Sequence, residues 1–138
     1  MPLHLLKLCV GVDDVEQLRR HQAARIERGE RLVHVTRHRP RRDAEVLDGG
    51  SLYWVIRRIV AVRQLIIGLE EVNGTDGIRR CALILGPELV LTMPQPRRPH
   101  QGWRYLEDDA APDDAPKGGS AADFPAEMAA ELRDLGLL

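Results

Sequence analysis

Residues 45–72 read EVLDGGSLYWVIRRIVAVRQLIIGLEEV and form the longest apolar, β-branched and aromatic segment of the chain. Such residues suit a pleated, half-buried surface, and the glycines at positions 49, 50 and 68 favour strands over a buried helix. We predict two strands, at about 51–57 and 61–72, joined at Arg57-Arg58 (boundaries to about ±3 residues). Gly68 is predicted to mark a bulge or a close approach of two backbones.

The chain beyond this segment predicts further strands. Residues 73–77 read NGTDG, a turn sequence whose Asn and Gly accept positive φ, and residues 78–85 follow as a third strand. The three strands form an antiparallel meander that suits a small barrel. Residues 90–93 are a candidate last strand, the prolines in 94–99 exclude a central strand there, and residues 103–106 pair at an edge and close the sheet.

The N-terminal third predicts a strand, a helix and a second strand. Residues 3–10 carry apolar side chains on both faces and predict a central strand. Asp13 and Glu16 have the spacing of a capping box, so a helix is expected over 14–28, with an apolar stripe and a glycine after its end. Residues 31–36 predict the second strand. The fold class is therefore α+β: a small mixed β-barrel of five or six strands with one helix after the first strand.

Charge divides the chain into a basic body and an acidic tail. Residues 1–106 hold eighteen Lys and Arg against twelve Asp and Glu, whereas residues 107–138 hold two against nine. We therefore predict one domain over 1–106 and a largely disordered, flexible acidic tail over 107–138. A short helix at 124–135 is expected within that tail, because its apolar residues recur at helical spacing.

The densest basic cluster, residues 36–42, predicts a binding surface. It reads TRHRPRR and is expected to form a loop or an edge, because its proline removes a hydrogen-bond donor. Arginine forks onto phosphate, and aromatic side chains stack on unpaired bases. The predicted nucleic-acid-binding residues are Arg37, Arg39, Arg41, Arg42, Arg97, Arg98, Trp103 and Arg104. The competing interpretation is a solvated arginine face with the aromatic residues in the core.

Catalytic signals are few. Thr36 is a candidate nucleophile, and Glu45 and Asp48 are candidate acids or bases beside the arginines, although opposite charges at this spacing are usually ion pairs. No phosphate-binding loop is present, because the Lys and the spacing are missing after Gly49-Gly50. His34 and His38 would lie ~13 Å apart on a strand, too far for one metal. We expect no metal site and no cofactor.

Composition also indicates in which cellular compartment the protein is expected. The two cysteines, Cys9 and Cys81, lie far apart in apolar runs, which indicates buried thiols rather than a disulfide framework. The apolar N-terminus is too short to span a membrane and lacks a basic leader. We expect a cytoplasmic protein without membrane contact, and the sequence leaves its oligomeric state open.

Several motifs resemble one family. They are His34-Val35-Thr36-Arg37 with Pro40 and Arg42, the run of residues 45–56, Arg63-Gln64, and the run of residues 101–106. These resemble the domain of unknown function numbered 1489, of short alphaproteobacterial proteins, over about residues 3–106. That resemblance implies no known activity.

A second resemblance concerns the order of elements. A strand, a helix, a strand, a basic loop and a Gly-led hairpin are similar to the PUA-like superfamily, and especially to its ASCH branch. Thr36-Arg37, Asp48-Gly49-Gly50 and residues 68–72 stand at the matching positions. The resemblance implies a small mixed barrel that binds RNA or modified bases. The Lys and Glu spacing of the ASCH branch is absent, so its hydrolase activity is not implied.

Three functional hypotheses follow. The first is a nucleic-acid-binding module for RNA or modified nucleotides that uses the arginine surface. The second is an enzyme acting on a nucleoside-like ligand, which requires a concave pocket that joins Thr36, Glu45 and Asp48. The third is an interaction protein whose acidic tail, at residues 124–135, docks on a partner or on the chain's own basic face.

Overall fold

The computed structural model describes residues 2–115 and shows an α+β protein built on one six-stranded sheet. The strands and helices are β1 (Leu3–Leu8), α1 (Val15–Glu27), β2 (Val33–Thr36), α2 (Asp43–Leu47), β3 (Ser51–Ile56), β4 (Ile59–Asn73), β5 (Arg79–Pro96) and β6 (Trp103–Glu107).

The sheet is mixed, with the order β2-β5-β4-β3-β1-β6. β1 and β3 are parallel, and every other neighbouring pair is antiparallel. A parallel pair needs a long crossover, which here contains α1, β2 and α2. The first strand lies between β3 and β6, so the prediction of a central first strand is confirmed.

The predicted barrel is wrong, because the sheet is open. β2 and β6 are its two edges, and β6 pairs only with β1. β2 has four residues and uses them to pair with β5. What joins the two edges is the loop of residues 37–42, through single hydrogen bonds to side chains of β6 rather than a backbone ladder.

β5 differs most from expectation. The strands predicted separately at 78–85 and 90–93 are joined in one 18-residue strand, which begins at Arg79 and pairs with β4 over most of its length. β2 pairs only with Cys81 to Ile84 of β5, so the rest of β5 has β4 as its single neighbouring strand. The three prolines of β5 lie in this edge portion, where a missing backbone donor is tolerated. The register shifts near Gly68, as predicted, and residues 74–77 form the predicted turn.

The helix α1 and its N-cap each lie one residue later than predicted. Asp14, not Asp13, is the N-cap: its carboxylate accepts the N–H of Gln17 over 2.7 Å. The Gln17 side chain in turn accepts the N–H of Asp13, so two otherwise unpaired backbone donors are satisfied. Val15 and Leu18 are buried and hold the helix against the inner face of the sheet.

The two faces of the sheet bury separate clusters. Trp54 lies in the large inner cluster with Leu5 and Leu52, whereas Tyr53 points the other way and packs with Leu6 and Leu106. Both aromatic side chains are buried, at 4 % exposure, and therefore belong to the core.

Gly50 fixes the start of β3 against α2. Its N–H donates to Val46 over 2.9 Å, and its carbonyl accepts from Ile66 over 3.0 Å. A Cβ at this position would overlap the carbonyl oxygens of Leu3 and Val46. Close backbone approach therefore requires glycine here.

Ordered structure continues past the boundary predicted at residue 106. Residues 108–115, which we call the strap, pack through Ala111 on the cluster that contains Tyr53. Two backbone hydrogen bonds join the strap to β5: the N–H of Met93 donates to the carbonyl of Asp113, and the N–H of Ala115 donates to the carbonyl of Leu91. Asp114 in the strap pairs with Arg63 over 2.7 Å. The rest of the predicted tail, with the helix expected at 124–135, lies outside the described residues.

Candidate functional site

A groove of about 1070 Å³ lies between the two edges of the open sheet. One wall comes from the end of β2 and the loop after it, and the other comes from the start of β6. The lining residues are Lys7, Val35, Thr36, Arg37, His38, Arg39, Arg41, Gln101, Gly102, Trp103, Arg104 and Tyr105.

The groove is strongly cationic. Five lysine and arginine residues line it, and its lining contains no Asp or Glu. Arg37 and Arg41 are exposed and form no ion pair or side-chain hydrogen bond within residues 2–115. Their charges are therefore available to an anionic ligand.

Two of the predicted arginines are partly neutralised. Arg39 pairs with Asp43 over 3.0 Å, and Arg42 forks onto Glu45 and also reaches Glu107 over 3.0 Å. These bonds raise the pKa of Arg42 and lower the pKa of Glu45. Arg42 therefore serves to fasten the loop, and it does not line the groove.

The aromatic residues of β6 hold the loop in place. Trp103 donates its indole N–H to the carbonyl of His38 over 2.8 Å, and the hydroxyl of Tyr105 accepts the N–H of Arg42 over 3.1 Å. The two rings form an edge-to-face pair at 4.8 Å, and the guanidinium of Arg42 lies 5.6 Å from the Tyr105 ring. An aromatic pair thus stands at the wall of a cationic groove.

Lys7 is the cationic groove residue that the sequence prediction missed. It lies opposite Trp103 in the β1–β6 ladder and shares a strand face with Leu3 and Leu5. No side-chain hydrogen bond or ion pair involves it within residues 2–115. Because side chains alternate along a strand, Lys7 falls on the apolar side of β1. A lysine at an apolar strand position was the feature of the sequence that could have identified this groove residue.

The predicted set does not form one surface. Arg37, Arg39, Arg41, Trp103 and Arg104 come together in the groove. Arg104 is held over the groove rim, where it donates to the carbonyls of Gln101 and Trp103. Arg97 and Arg98 line no part of the groove: they follow β5 at the end of the sheet where β3 turns into β4.

The candidate catalytic residues are not brought together either. Thr36 is buried at the groove, whereas Glu45 and Asp48 line a separate shallow depression with Ala44 and Leu47. The concave pocket that the enzyme hypothesis requires does not join these three side chains.

Burial also raises the pKa of the Cys9 thiol to about 11, which keeps it protonated at neutral pH.

A smaller cavity of about 190 Å³ lies between α1, β2 and β3. His34 and Trp54 meet there edge-to-face at 5.1 Å, and the Nε2 atom of His34 is buried without a hydrogen-bond partner within the described residues. Burial, and then the charges of Lys7 and Arg25, lower the pKa of His34 to about 4. The ring is therefore neutral at physiological pH.

Residues 2–115 contain no cluster of three or more His, Cys, Asp or Glu side chains placed to hold a metal ion. In the same part of the chain, no helix is long and apolar enough to cross a membrane.

Comparison with known proteins identifies a family. A family model described as "Protein of unknown function (DUF1489)" matches residues 5–138, which is more of the chain than the motifs indicated. Neither the search of curated proteins nor the search of solved structures gave a match.

Proposed function

The chain belongs to the family of proteins of unknown function DUF1489, and we propose that it is a module that binds single-stranded nucleic acid, with RNA as the preferred ligand. The observation that carries this proposal is the groove, which combines five cations with an aromatic pair and has no carboxylate in its lining. The charged side chains that line the groove are all positive.

The groove suits a single strand. Arg37, Arg41 and Lys7 would neutralise phosphates and release bound counterions, which makes affinity fall with salt. Tyr105 is 37 % exposed and, with Trp103, offers aromatic surface to an unpaired base. A stacked duplex conceals its base faces, so aromatic contact favours a single strand.

Two earlier expectations remain predictions. The free thiols of Cys9 and Cys81 suit a reducing compartment such as the cytoplasm. The relation to the PUA-like superfamily would account for RNA as ligand, although the open sheet departs from a closed barrel.

The test is salt-dependent binding of a fluorescent single-stranded RNA of about 12 nucleotides, within the ~4–16 that such modules cover. We expect the affinity to fall steeply between about 50 and 200 mM salt. The variant R37Q/R41Q should reduce the slope of log affinity against log salt by about 1.4, at ~0.7 for each lost phosphate contact on a single strand.

The matched control is R20Q, which removes one exposed arginine charge from α1, outside the groove. It should leave the slope unchanged. Absence of RNA binding by the wild type at low salt would refute the proposal, and equal slopes for R37Q/R41Q and the wild type would show that the groove is not the site.

A further inference from the structure

The turn between β3 and β4 is strained. Arg57 and Arg58 both have positive φ, at 51° and 68°, and they are the only non-glycine residues with positive φ in the described chain. Two-residue hairpins of this kind prefer Asn-Gly, because side chains with a Cβ fit the left-handed region poorly. A large cationic residue at both positions lowers stability, and such strain is typically found at functional sites.

A second basic segment meets this turn. The N–H of Arg97 donates to the carbonyl of Arg58 over 2.8 Å, and Pro96 lies opposite Ile59 in the β4–β5 ladder. The backbone therefore brings two arginine pairs from distant parts of the sequence to one end of the sheet. We call Arg58, Arg97 and Arg98 the tip cluster.

Within residues 2–115, no carboxylate forms an ion pair with the tip cluster. Arg58 and Arg98 form no ion pair within residues 2–115, and the guanidinium of Arg97 donates only to the neutral side-chain amide oxygen of Gln95, over 2.9 and 2.7 Å. Eight other arginines of the described chain pair with carboxylates: Arg19, Arg28, Arg31, Arg39, Arg42, Arg63, Arg79 and Arg80.

We propose that the tip cluster is a second phosphate-binding surface, and that a long single-stranded RNA bound in the groove reaches it. This inference rests on the proposed function. Residues 97–102 lead from the tip cluster to the groove, since Gln101 and Gly102 already line the groove wall. The RNA backbone would follow that connection, so the site is longer than the groove alone.

RNA length separates the two surfaces experimentally. The variant R58G/R98Q removes two tip charges, and glycine accepts the φ of 68° at position 58. With an RNA of about 12 nucleotides its salt slope should be about 1.4 smaller than that of the wild type, at ~0.7 per contact. With an RNA of about 4 nucleotides, which fills the groove only, the two slopes should be equal.

Two comparisons complete the design. R37Q/R41Q should weaken both RNAs, and R20Q should weaken neither. R58G/R98Q should melt at or above the wild-type temperature, because glycine removes the strain at position 58. Lost binding by that variant would then not reflect a damaged fold.

The inference is overturned if R58G/R98Q keeps the wild-type slope with the long RNA while R37Q/R41Q reduces it; the groove proposal then stands alone. It is also overturned if R58G/R98Q weakens the short and the long RNA equally, since that indicates a general charge effect. A wild type that binds neither RNA refutes the proposed function and this inference together.

Discussion

Trp103 donates its indole N–H to the carbonyl of His38 over 2.8 Å, and this bond connects the last strand of the sheet to the loop that follows the opposite edge strand. The two residues are 65 positions apart in the sequence. The bond crosses the gap where a closed barrel would have a backbone ladder, so one side chain both positions the basic loop and leaves the groove open.

Removing that donor should loosen the loop. W103F keeps an aromatic ring but leaves the His38 carbonyl without its partner, so we expect a loss of roughly 1 kcal/mol in unfolding free energy. RNA affinity should fall as well, because the arginines of the loop are no longer held. Thermal melting and fluorescence anisotropy measure the two effects.

The matched control is W54F, which deletes an indole donor in the core, where Trp54 bonds to Gln64 over 3.2 Å. It should cost stability without changing RNA affinity at temperatures where the protein is folded. If W103F binds RNA as tightly as the wild type, the loop does not need this anchor.

Lys7 provides a separate test of the groove. Its side chain is half-buried, has apolar neighbours on its own strand face and has no side-chain partner within the described residues. We expect K7M to weaken RNA binding and to leave the melting temperature unchanged or higher, because methionine loses no side-chain bond and suits the apolar neighbours. K7R retains the charge and should bind RNA like the wild type; a K7M variant that also binds normally would exclude Lys7 from the site.

Local patterns predicted the elements of this fold better than its closure. The strands on either side of Arg57-Arg58, the turn of residues 74–77 and the irregularity at Gly68 follow from β-branched density and glycine placement. These features depend on neighbours in the sequence. Whether β2 and β6 pair depends on their separation in space, which no local pattern encodes, and the barrel prediction was therefore wrong.

The order of the strap also depends on long-range contacts that local sequence does not encode. Its acidic composition predicts disorder, yet Asp108 accepts a hydrogen bond from His4 over 2.8 Å and Asp114 pairs with Arg63. Both partners are more than 50 positions away in the sequence. Composition describes average solvation, whereas these specific long-range bonds decide whether such a segment is ordered.

The arginine prediction was limited by topology. Residues 37–41 and residues 103–104 both border the groove, although they come from distant parts of the sequence. Arg97 and Arg98 were placed with them because they are near Trp103 in the sequence. β5, however, ends on the side of the sheet where β3 turns into β4, and Arg97 bonds to Arg58 there.

Gln64 should be critical for stability. Its side chain is fully buried, accepts from Gln22 and Trp54, and donates to Gln22 and to the carbonyl of Gly86. Q64L would leave several buried polar groups unpaired, so we expect a loss of roughly 3–5 kcal/mol in urea unfolding. Q22A affects a partly exposed residue of α1 and should cost only about 1 kcal/mol. Similar losses for the two variants would contradict the central role of Gln64.

His34 should make the stability depend on pH. Its pKa is about 4 in the folded protein against the ordinary value of 6.5, so the unfolded chain binds this proton more readily. Stability contributed by the neutral ring is therefore complete above about pH 6.5 and decreases as the pH falls towards 4. We expect a loss of roughly 2 kcal/mol over that range, at about 1.4 kcal/mol per pKa unit and reduced by partial exposure.

The variant H34F isolates this histidine, because it keeps a ring against Trp54, has no titrating nitrogen and removes an unpaired buried polar atom. Its unfolding free energy, measured with urea at several pH values, should vary less than that of the wild type between pH 6.5 and 4. H21F changes an exposed histidine beside the same cavity and should retain the wild-type profile. Parallel profiles for H34F and the wild type would mean that His34 is protonated as easily in the folded protein as in the unfolded chain.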